Sequence, residues 1–282
     1  SETDTEVIAK LLSDVYDGDL VSTVKKAVKR LRGAYALGII SNYEPDKLVA
    51  VRLASPLVVG IGEGENFIAS DIPAILKHTR DVYILEDGEM AVLDQHDVKL
   101  MTLDGTPVNR DVLRVTWDME TAEKGGFDHF MLKEIYEQPK AIRDTLAGRI
   151  KNDRVDLSQE VALTPETAKQ INKIHFVACG TAYHAGLVGK TILEQLTRIP
   201  VEIDVASEYR YRNPIIDENT LVVVVSQSGE TADTLAALRE AKKQGARVVA
   251  ITNVVGSSVS READDVIITW AGPEIAVAST KA

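Results

Sequence analysis

The chain has 282 residues, of which 43 are acidic and 32 basic, so its formal net charge is −11. This acidic balance argues against nucleic acid or an anionic membrane surface as the main partner, and no apolar run approaches the roughly 18 residues that span a bilayer. One cysteine, Cys179, excludes a disulfide framework and a multi-cysteine zinc site, and it fits a reducing cytoplasm. The length predicts two domains of ordinary size.

The first half predicts an antiparallel α+β domain. Thr3 and Glu6 have the spacing of a capping box, which predicts a helix start, and a second helical pattern covers residues 20–31 and stops at Gly33. Strand-like runs separated by turn signals follow, and short helical pieces interrupt them, as at 72–77. The predicted strands are 35–40, 48–53, 57–61, 66–69, 82–86, 89–93 and 98–103.

The middle of the chain changes character. Residues 127–150 predict a helix-rich segment that bends or restarts at Pro139, and the polar stretch 148–154 is the linker candidate. We therefore expect a first domain over 1–125, a hinge and linker helix over 126–160, and a second domain over 161–282.

The second half alternates strands and helices, and its continuous β-branched runs are typical of parallel strands buried on both faces. Thr164 and Pro165 predict the cap of a short helix, while Asp264 and Asp265 predict a turn. The predicted strands are 174–178, 201–205, 221–225, 247–252 and 266–269, and the longer helices are 181–196 and 231–243.

The most informative stretch is Ser226-Gln-Ser-Gly-Glu-Thr231, where a buried strand ends and a helix begins at once. Helix N-terminal amides and hydroxyl groups form an anion site there, and Gly229 lets the backbone approach a ligand closely. A second strand end at 178–181 has the same arrangement, and the small residues of 277–281 could complete the ring. N-cap chemistry alone explains any one of these stretches. Their joint presence favours a phosphate-monoester pocket built mostly from neutral donors.

These motifs resemble a known family. The segments SQSGETADT at 226–234, CGTAY at 179–183, ASEYRYR at 206–212 and ASTK at 278–281 are similar to the first sugar isomerase (SIS) subdomain of the glutamine–fructose-6-phosphate aminotransferases (isomerizing), the glucosamine-6-phosphate synthases. In the first half, SETDTE at 1–6, RGAY at 32–35, SPL at 55–57, GENFIASD at 64–71 and KEIYEQP at 133–139 resemble the later part of that family's glutaminase domain and its hinge.

The resemblance implies a partial Ntn-hydrolase αββα sandwich followed by an SIS-type parallel sheet of the flavodoxin-like or Rossmann-like kind. It implies that ammonia released from glutamine converts fructose 6-phosphate into glucosamine 6-phosphate, without a cofactor or metal, in a dimeric full-length enzyme. The family's phosphate and sugar contacts fall on four residues of one loop, with Thr181 in the companion loop and a backbone contact at Val277. Asp4 matches the carboxylate that holds the α-amino group of glutamine. The four loop residues are Ser226, Gln227, Ser228 and Thr231.

Three departures from the family pattern affect the expected activity. Residue 1 is Ser, so the N-terminal cysteine nucleophile is absent, and Cys179 belongs to the sugar site. Ala182 stands where bacterial relatives often place a phosphate-binding Ser. The second SIS subdomain, which carries the family's catalytic Glu, His and Lys, is also absent. We therefore expect a fragment that holds no catalytic residue, catalyses neither half-reaction and binds fructose 6-phosphate weakly at best.

Other interpretations remain open at this stage. The chain could be a non-catalytic sugar-phosphate sensor, although a sensor predicts a helix-turn-helix and a basic face. It could also be a simple sugar-phosphate isomerase, which would not need the first half. Cys179 could be a reactive thiol, because a helix N-terminus lowers thiol pKa values, or simply a buried small residue. The five histidines share no metal-ligand spacing.

Overall fold

A computed structural model describes residues 1–72, 74–115 and 124–282 of the chain. The chain divides into two compact units, Ser1–Met119 and Glu120–Ala282. Across the described residues, every helix is too short or too polar to cross a membrane.

The first unit is built from two four-stranded sheets that are antiparallel throughout, with strand orders β1-β2-β6-β7 and β4-β3-β5-β8. The antiparallel α+β prediction is therefore confirmed for this unit. Its elements are α1 (Asp4–Val15), α2 (Leu20–Val28), β1 (Tyr35–Ser41), β2 (Glu44–Leu53), β3 (Val58–Ile61), β4 (Asn66–Ala69), β5 (Asp81–Ile84), β6 (Glu89–Leu93), β7 (Val98–Thr102) and β8 (Leu113–Arg114).

Apolar side chains from the two sheets meet in one shared core, to which Ala50 of β2, Val59 of β3 and Ala91 of β6 contribute. On the outer face of the first sheet, α2 buries Leu20 and Val24 against strand residues. This gives a helix–sheet–sheet order of layers, in which the first sheet is covered on both faces.

Two local predictions in the first unit have different outcomes. The Thr3 hydroxyl accepts the Glu6 N–H at 3.2 Å, as expected, but the Glu6 carboxylate accepts the N–H of Glu2 at 3.1 Å, so only half of the capping box forms. The helical piece predicted at 72–77 is wrong. Ile75 donates to the Ile72 carbonyl and His78 to the Ile75 carbonyl, three residues back, which makes consecutive turns; residue 73 lies outside the described residues.

The second unit contains a five-stranded sheet that is parallel throughout, with strand order β12-β11-β13-β14-β15. Numbered within the sheet, this is the flavodoxin-like order 2-1-3-4-5, which confirms the predicted α/β class. Its elements are α3 (Phe130–Leu146), β9 (Ile150–Lys151), β10 (Arg154–Val155), α4 (Pro165–Gln170), β11 (Lys173–Ala178), α5 (Gly180–Thr197), β12 (Val201–Val205), α6 (Ala206–Tyr209), β13 (Thr220–Ser226), α7 (Ala232–Lys243), β14 (Arg247–Thr252), α8 (Ser258–Glu262) and β15 (Asp265–Ile268).

Helices cover both faces of the parallel sheet. On one face, Leu235 and Leu238 of α7, Tyr209 of α6 and Val259 of α8 pack on Val222 and its neighbours in the strands. On the other face, α5 packs on the sheet through Leu193. Burial on both faces explains why these strands consist of continuous β-branched runs.

Asp264 and Asp265 do not form the predicted turn. Asp265 is buried and begins β15, where the Arg247 guanidinium donates to its two oxygens at 2.7 and 3.0 Å. Asp264 accepts the Val248 N–H at 2.8 Å. Asp265 enters the sheet, and Asp264 lies beside it, because their charged oxygens gain donors, which a pattern of charge along the sequence does not reveal.

The linker candidate at 148–154 folds as a small hairpin. Strands β9 and β10 pair antiparallel, and Asn152 and Asp153 between them both have positive φ, +52° and +59°. Two central residues of positive φ are typical of a type I′ turn, for which asparagine and aspartate are suited. Just upstream, α3 continues through Pro139 as one helix and does not restart there.

Candidate functional site

A cavity of about 240 Å³ lies at the carboxyl edge of the parallel sheet. In an open α/β sheet this edge is where ligands bind, at the point where the strand order reverses, here between β11 and β13. The lining residues come from the start of α5, which follows β11, from the ends of β13, β14 and β15 and the residues just after them, and from the segment 279–282. They are Thr181, Ala182, Ala185, Val225, Ser226, Gln227, Ile251, Thr252, Asn253, Thr269, Ser279, Thr280 and Ala282.

The loop between β13 and α7 is folded tightly by its own hydroxyl groups. Ser226 Oγ accepts the Gly229 N–H at 3.1 Å and shares a 3.1 Å hydrogen bond with Thr231 Oγ1. Gly229 has φ of +65°, and a Cβ placed on it would lie 2.1 Å from Ser257 Oγ. The position therefore requires glycine both for its backbone conformation and for its close neighbour.

The same loop is fastened to α8 and β14. The Glu230 carboxylate accepts the Ser258 N–H at 2.7 Å and the Ser258 hydroxyl at 2.8 Å. The Gln227 carbonyl accepts the Asn253 N–H at 3.1 Å. Helix α7 begins directly after this loop. Its first N–H groups have no intrahelical partners, as at any helix N-terminus.

The second wall is the start of α5. Cys179 is the N-cap residue of this helix, Gly180 has φ of +58°, and Thr181 lies in the first turn. Ala182 lines the cavity with a methyl group, so this wall offers one hydroxyl where a serine would have added another. The Cys179 thiol is half-buried and free.

Ser279 and Thr280 form the third wall, and Glu274 organises the turn that carries them. The Glu274 carboxylate accepts the Ser279 hydroxyl at 2.6 Å and the N–H groups of Thr280 and Lys281 at 2.7 and 2.9 Å. Of the residues 277–281 that were expected to complete the ring, Ser279 and Thr280 line the cavity.

Sequence reasoning missed the part of the lining that β14 and β15 contribute. Asn253 follows β14, and its Oδ1 accepts the Thr269 hydroxyl at 2.9 Å while its Nδ2 donates to the Gly272 carbonyl at 2.7 Å. Thr252 stands beside it at the end of the strand. The sequence contained a signal for these residues. The run 247–252 was predicted to be a buried parallel strand, and because parallel strands end at the same edge of a sheet, the residues at its end were candidates for the site.

The cavity is electrically neutral in its side chains, since its lining consists of hydroxyl, amide and aliphatic groups. An anion in it would be held by hydroxyl donors and by the N-terminal amides and dipoles of α5 and α7. In the portion of the chain that the structure describes, no group of three or more His, Cys, Asp or Glu side chains is placed to hold a metal ion.

The structure brings only some of the predicted site residues to the cavity. Ser226, Gln227 and Thr181 line it. Two others, Ser228 and Thr231, belong to the same loop but stand outside the lining.

The last two predicted residues lie elsewhere. Val277 is 91% exposed and also stands outside the lining, although its neighbours Ser279 and Thr280 line it. Asp4 lies in the first unit, in the first turn of α1, where its carboxylate accepts the N–H of Thr5 at 2.7 Å.

Comparisons with known proteins agree with this architecture. The SIS domain family matches residues 169–282. Over the whole chain, the sequence is 61% identical to the glutamine–fructose-6-phosphate aminotransferase (isomerizing) of Clostridium tetani and 62% identical to that of Symbiobacterium thermophilum. The chain spans 46% of the length of each of these relatives.

A solved structure gives the same result for part of the chain. The C-terminal domain of glucosamine-fructose-6-phosphate aminotransferase from Francisella tularensis matches with a TM-score of 0.53 and 43% sequence identity, covering 56% of this chain and 45% of that one. The resemblance predicted from the motifs is thus confirmed. Over its whole length the chain is homologous to part of the glutamine–fructose-6-phosphate aminotransferases, and it carries their SIS domain.

Proposed function

We propose that this chain is part of an amidotransferase that makes glucosamine 6-phosphate from fructose 6-phosphate and ammonia derived from glutamine. One observation carries the proposal, namely a neutral, hydroxyl-lined cavity at the switch point of an SIS-type sheet in a chain that aligns with the aminotransferases from end to end. The proposal assigns 1–125 to the glutaminase part, 126–160 to a hinge and linker helix, and 161–282 to the first SIS subdomain.

The phosphate of the sugar is the group that this cavity and the adjoining loop 226–231 suit. Ser228 Oγ accepts the Glu230 N–H at 3.2 Å, which leaves its own proton to donate to a ligand. The Thr231 side chain makes no capping bond to α7, so its hydroxyl can serve both Ser226 and a phosphate oxygen. Thr181 adds a donor from the opposite wall. In this role the residues bind and orient the sugar phosphate, and none of them is assigned a chemical step.

The proposal extends to three further points. Asp4 would hold the α-amino group of glutamine, which its exposed position at the start of α1 allows. The protein would work as a homodimer, which is supported by the exposed apolar side chains along α5, among them Val188 and Leu196. A free, unpaired cysteine supports a cytoplasmic location.

A chimera tests the proposed function. The matching 282 residues of the Clostridium tetani aminotransferase are replaced by this chain, and formation of glucosamine 6-phosphate from fructose 6-phosphate and glutamine is measured. We expect an active chimera, because the exchanged segment aligns without loss of any part of this chain. A folded chimera that binds fructose 6-phosphate without turning it over would favour the sensor interpretation.

Ser228→Ala in the active chimera tests the phosphate assignment. Loss of a donor to a charged group costs about 1.5–3 kcal/mol, so the KM for fructose 6-phosphate should rise by roughly ten- to a hundredfold. Ser13→Ala removes a hydroxyl from an exposed position on α1 and serves as the matched control. An unchanged KM in Ser228→Ala contradicts the assignment of the phosphate to this loop.

A further inference from the structure

Helix α3 holds the third wall of the cavity through one buried carboxylate. Glu134 is 2% exposed, and its Oε1 accepts the N–H groups of Ile275 and Ala276 at 2.7 and 3.0 Å. Its Oε2 accepts the Thr280 hydroxyl at 3.4 Å. A buried carboxylate that receives several donors makes strong, charge-assisted hydrogen bonds, so these bonds fix the backbone of the segment.

Two more side chains on the same face of α3 also bind the segment that forms the third wall. Gln138 Nε2 donates to the Thr280 carbonyl at 2.5 Å, and Glu137 Oε2 accepts the Lys281 ammonium at 2.5 Å. The Lys281 side chain is 2% exposed, so its contact with Glu137 is a largely buried ion pair. Residues 134, 137 and 138 are three and four positions apart, which places them together on one helix face.

The segment also holds a backbone conformation that requires outside support. Ala278 has φ of +73°, in the left-handed region that disfavours residues with a Cβ. Such a conformation persists where the surrounding structure over-determines it. Here Glu134 binds the backbone on one side of Ala278, and Glu274 binds Thr280 and Lys281 on the other.

From these contacts we infer that Glu134 is a positioning residue for the sugar-phosphate site. It stands outside the lining of the cavity and acts through the segment that presents Ser279 and Thr280 to it. The inference rests on the proposed function, because that function supplies the ligand, fructose 6-phosphate, that the segment 275–280 would contact. Glu134 is separated from Ile275 by 141 positions in the sequence, so this helix and this wall form one structural element only in the folded chain.

The test measures local order and binding in the same 282-residue chain. Hydrogen exchange reports the amides of Ile275 and Ala276, and an NMR titration gives the Kd for fructose 6-phosphate. In Glu134→Ala we expect exchange at these two amides to quicken and the Kd to rise, each by roughly tenfold or more. Glu134→Gln keeps an acceptor oxygen of the same shape and should restore most of the wild-type Kd.

Two controls separate positioning from general stability. Asp144→Ala removes an exposed carboxylate of the same helix, which pairs with Lys140 across one turn, and should leave the Kd unchanged. Val201→Ala weakens the buried core at β12 and should lower Tm without changing the Kd. A rise in Kd that follows Tm across all variants would show a structural role and overturn the inference.

The remaining outcomes separate the inference from the function on which it rests. If the wild-type chain binds fructose 6-phosphate and Glu134→Ala binds it equally well while exchange at Ile275 quickens, the inference is wrong and the proposed function stands. If the wild-type chain shows no binding and the chimera also forms no glucosamine 6-phosphate, the proposed function is contradicted and the inference about its site fails with it.

Discussion

The two units of the chain bury comparable strands in different ways. In the first unit, β1 alternates between inward and outward residues, as expected for an antiparallel sheet with two different faces. In the second unit, β13 and β14 are buried nearly throughout, because helices cover both faces of the parallel sheet. In the sequence, the second unit shows this burial as continuous β-branched runs.

The difference explains where the site forms. Consecutive antiparallel strands end at opposite edges, so the loops of the first unit are shared between two edges. Parallel strands all end at one edge, so the polar residues after β11, β13, β14 and β15 converge on a single cavity. The comparison predicts that a change in a loop of the second unit affects both stability and binding, whereas a similar change in the first unit affects stability alone.

The largest expected effect comes from Gly229→Ala. The new Cβ would lie 2.1 Å from Ser257 Oγ and 2.9 Å from Thr252 Oγ1, in a residue with positive φ. We expect a loss of about 3 kcal/mol in the free energy of unfolding and loss of fructose 6-phosphate binding. Urea unfolding followed by hydrogen exchange reports the two units separately and provides the measurement.

A glycine in the first unit gives the matched control. Gly64 has φ of +73°, but a Cβ on it would meet no atom within 4 Å, so Gly64→Ala should cost about 1 kcal/mol and leave binding unchanged. Adding Ser257→Gly to Gly229→Ala removes the closest neighbour and should recover part of the loss. Equal effects of the two single changes would contradict the contrast between the units.

Much of this architecture follows from local patterns in the sequence. Strands β4, β6, β12 and β14 have the predicted bounds, and Thr164 caps α4 through Thr167 as its sequence suggests. The loop at 226–231 and the start of α5 were predicted to be neighbours for a general reason, since parallel strands end at one edge. The strand bounds and the cap depend on residues close together in the chain, and the meeting of the two loops depends on the parallel order of the strands.

Other features depend on contacts that no local pattern encodes. The helix α8 is only five residues long, and Glu230, 28 positions away, supplies a bond to its first residue, Ser258. The support of 275–280 by Glu134 likewise joins distant parts of the sequence. Asp265 was misjudged because its partner, Arg247, stands on the neighbouring strand. Such pairings become visible only when the sheet is assembled.

Two aspartates, each the first residue of a strand, test how burial changes the contribution of an ion pair to the free energy of unfolding. Asp265 pairs with Arg247 and its side chain is 4% exposed, whereas Asp81 of β5 pairs with Arg114 and is 37% exposed. We expect Asp265→Ala to cost about 3 kcal/mol, because the Arg247 guanidinium loses a buried partner. Asp81→Ala should cost less than about 1 kcal/mol, as exposed pairs do. Similar losses in urea unfolding would contradict the role of burial.

A buried histidine should make the second unit sensitive to mild acid. His175 of β11 is fully buried, and its Nε2 lies 2.8 Å from Asp204 Oδ2. Burial lowers the pKa of His175 below its ordinary 6.5 and outweighs the hydrogen bond with Asp204, which raises it. The charged groups that act on this imidazole are Asp204, Glu202 and Lys173, and Arg212 pairs with both carboxylates.

The sign of the effect follows from proton binding. The unfolded chain protonates His175 near pH 6.5, while the folded chain keeps it neutral to lower pH. Stability from this residue is therefore complete above about pH 6.5 and is lost as the pH falls through the folded pKa. His175→Gln should flatten the decline of Tm between about pH 7 and 5, whereas His96→Gln, at an exposed position of the first unit, should not. Parallel slopes in all three proteins would contradict the prediction.

The smallest expected effect compares two alanines of positive φ, Ala54 in the first unit with +59° and Ala278 in the second with +73°. Glycine relieves the backbone strain but adds freedom to the unfolded chain, so each change to glycine should stabilise its unit by about 0.5 kcal/mol. The two changes should differ in binding, because only Ala278 lies in the segment that lines the cavity through Ser279 and Thr280. A more flexible segment should raise the Kd for fructose 6-phosphate in Ala278→Gly and leave it unchanged in Ala54→Gly. If Ala278→Gly instead tightens binding, the strained conformation opposes the ligand and Glu134 holds the segment away from its bound position.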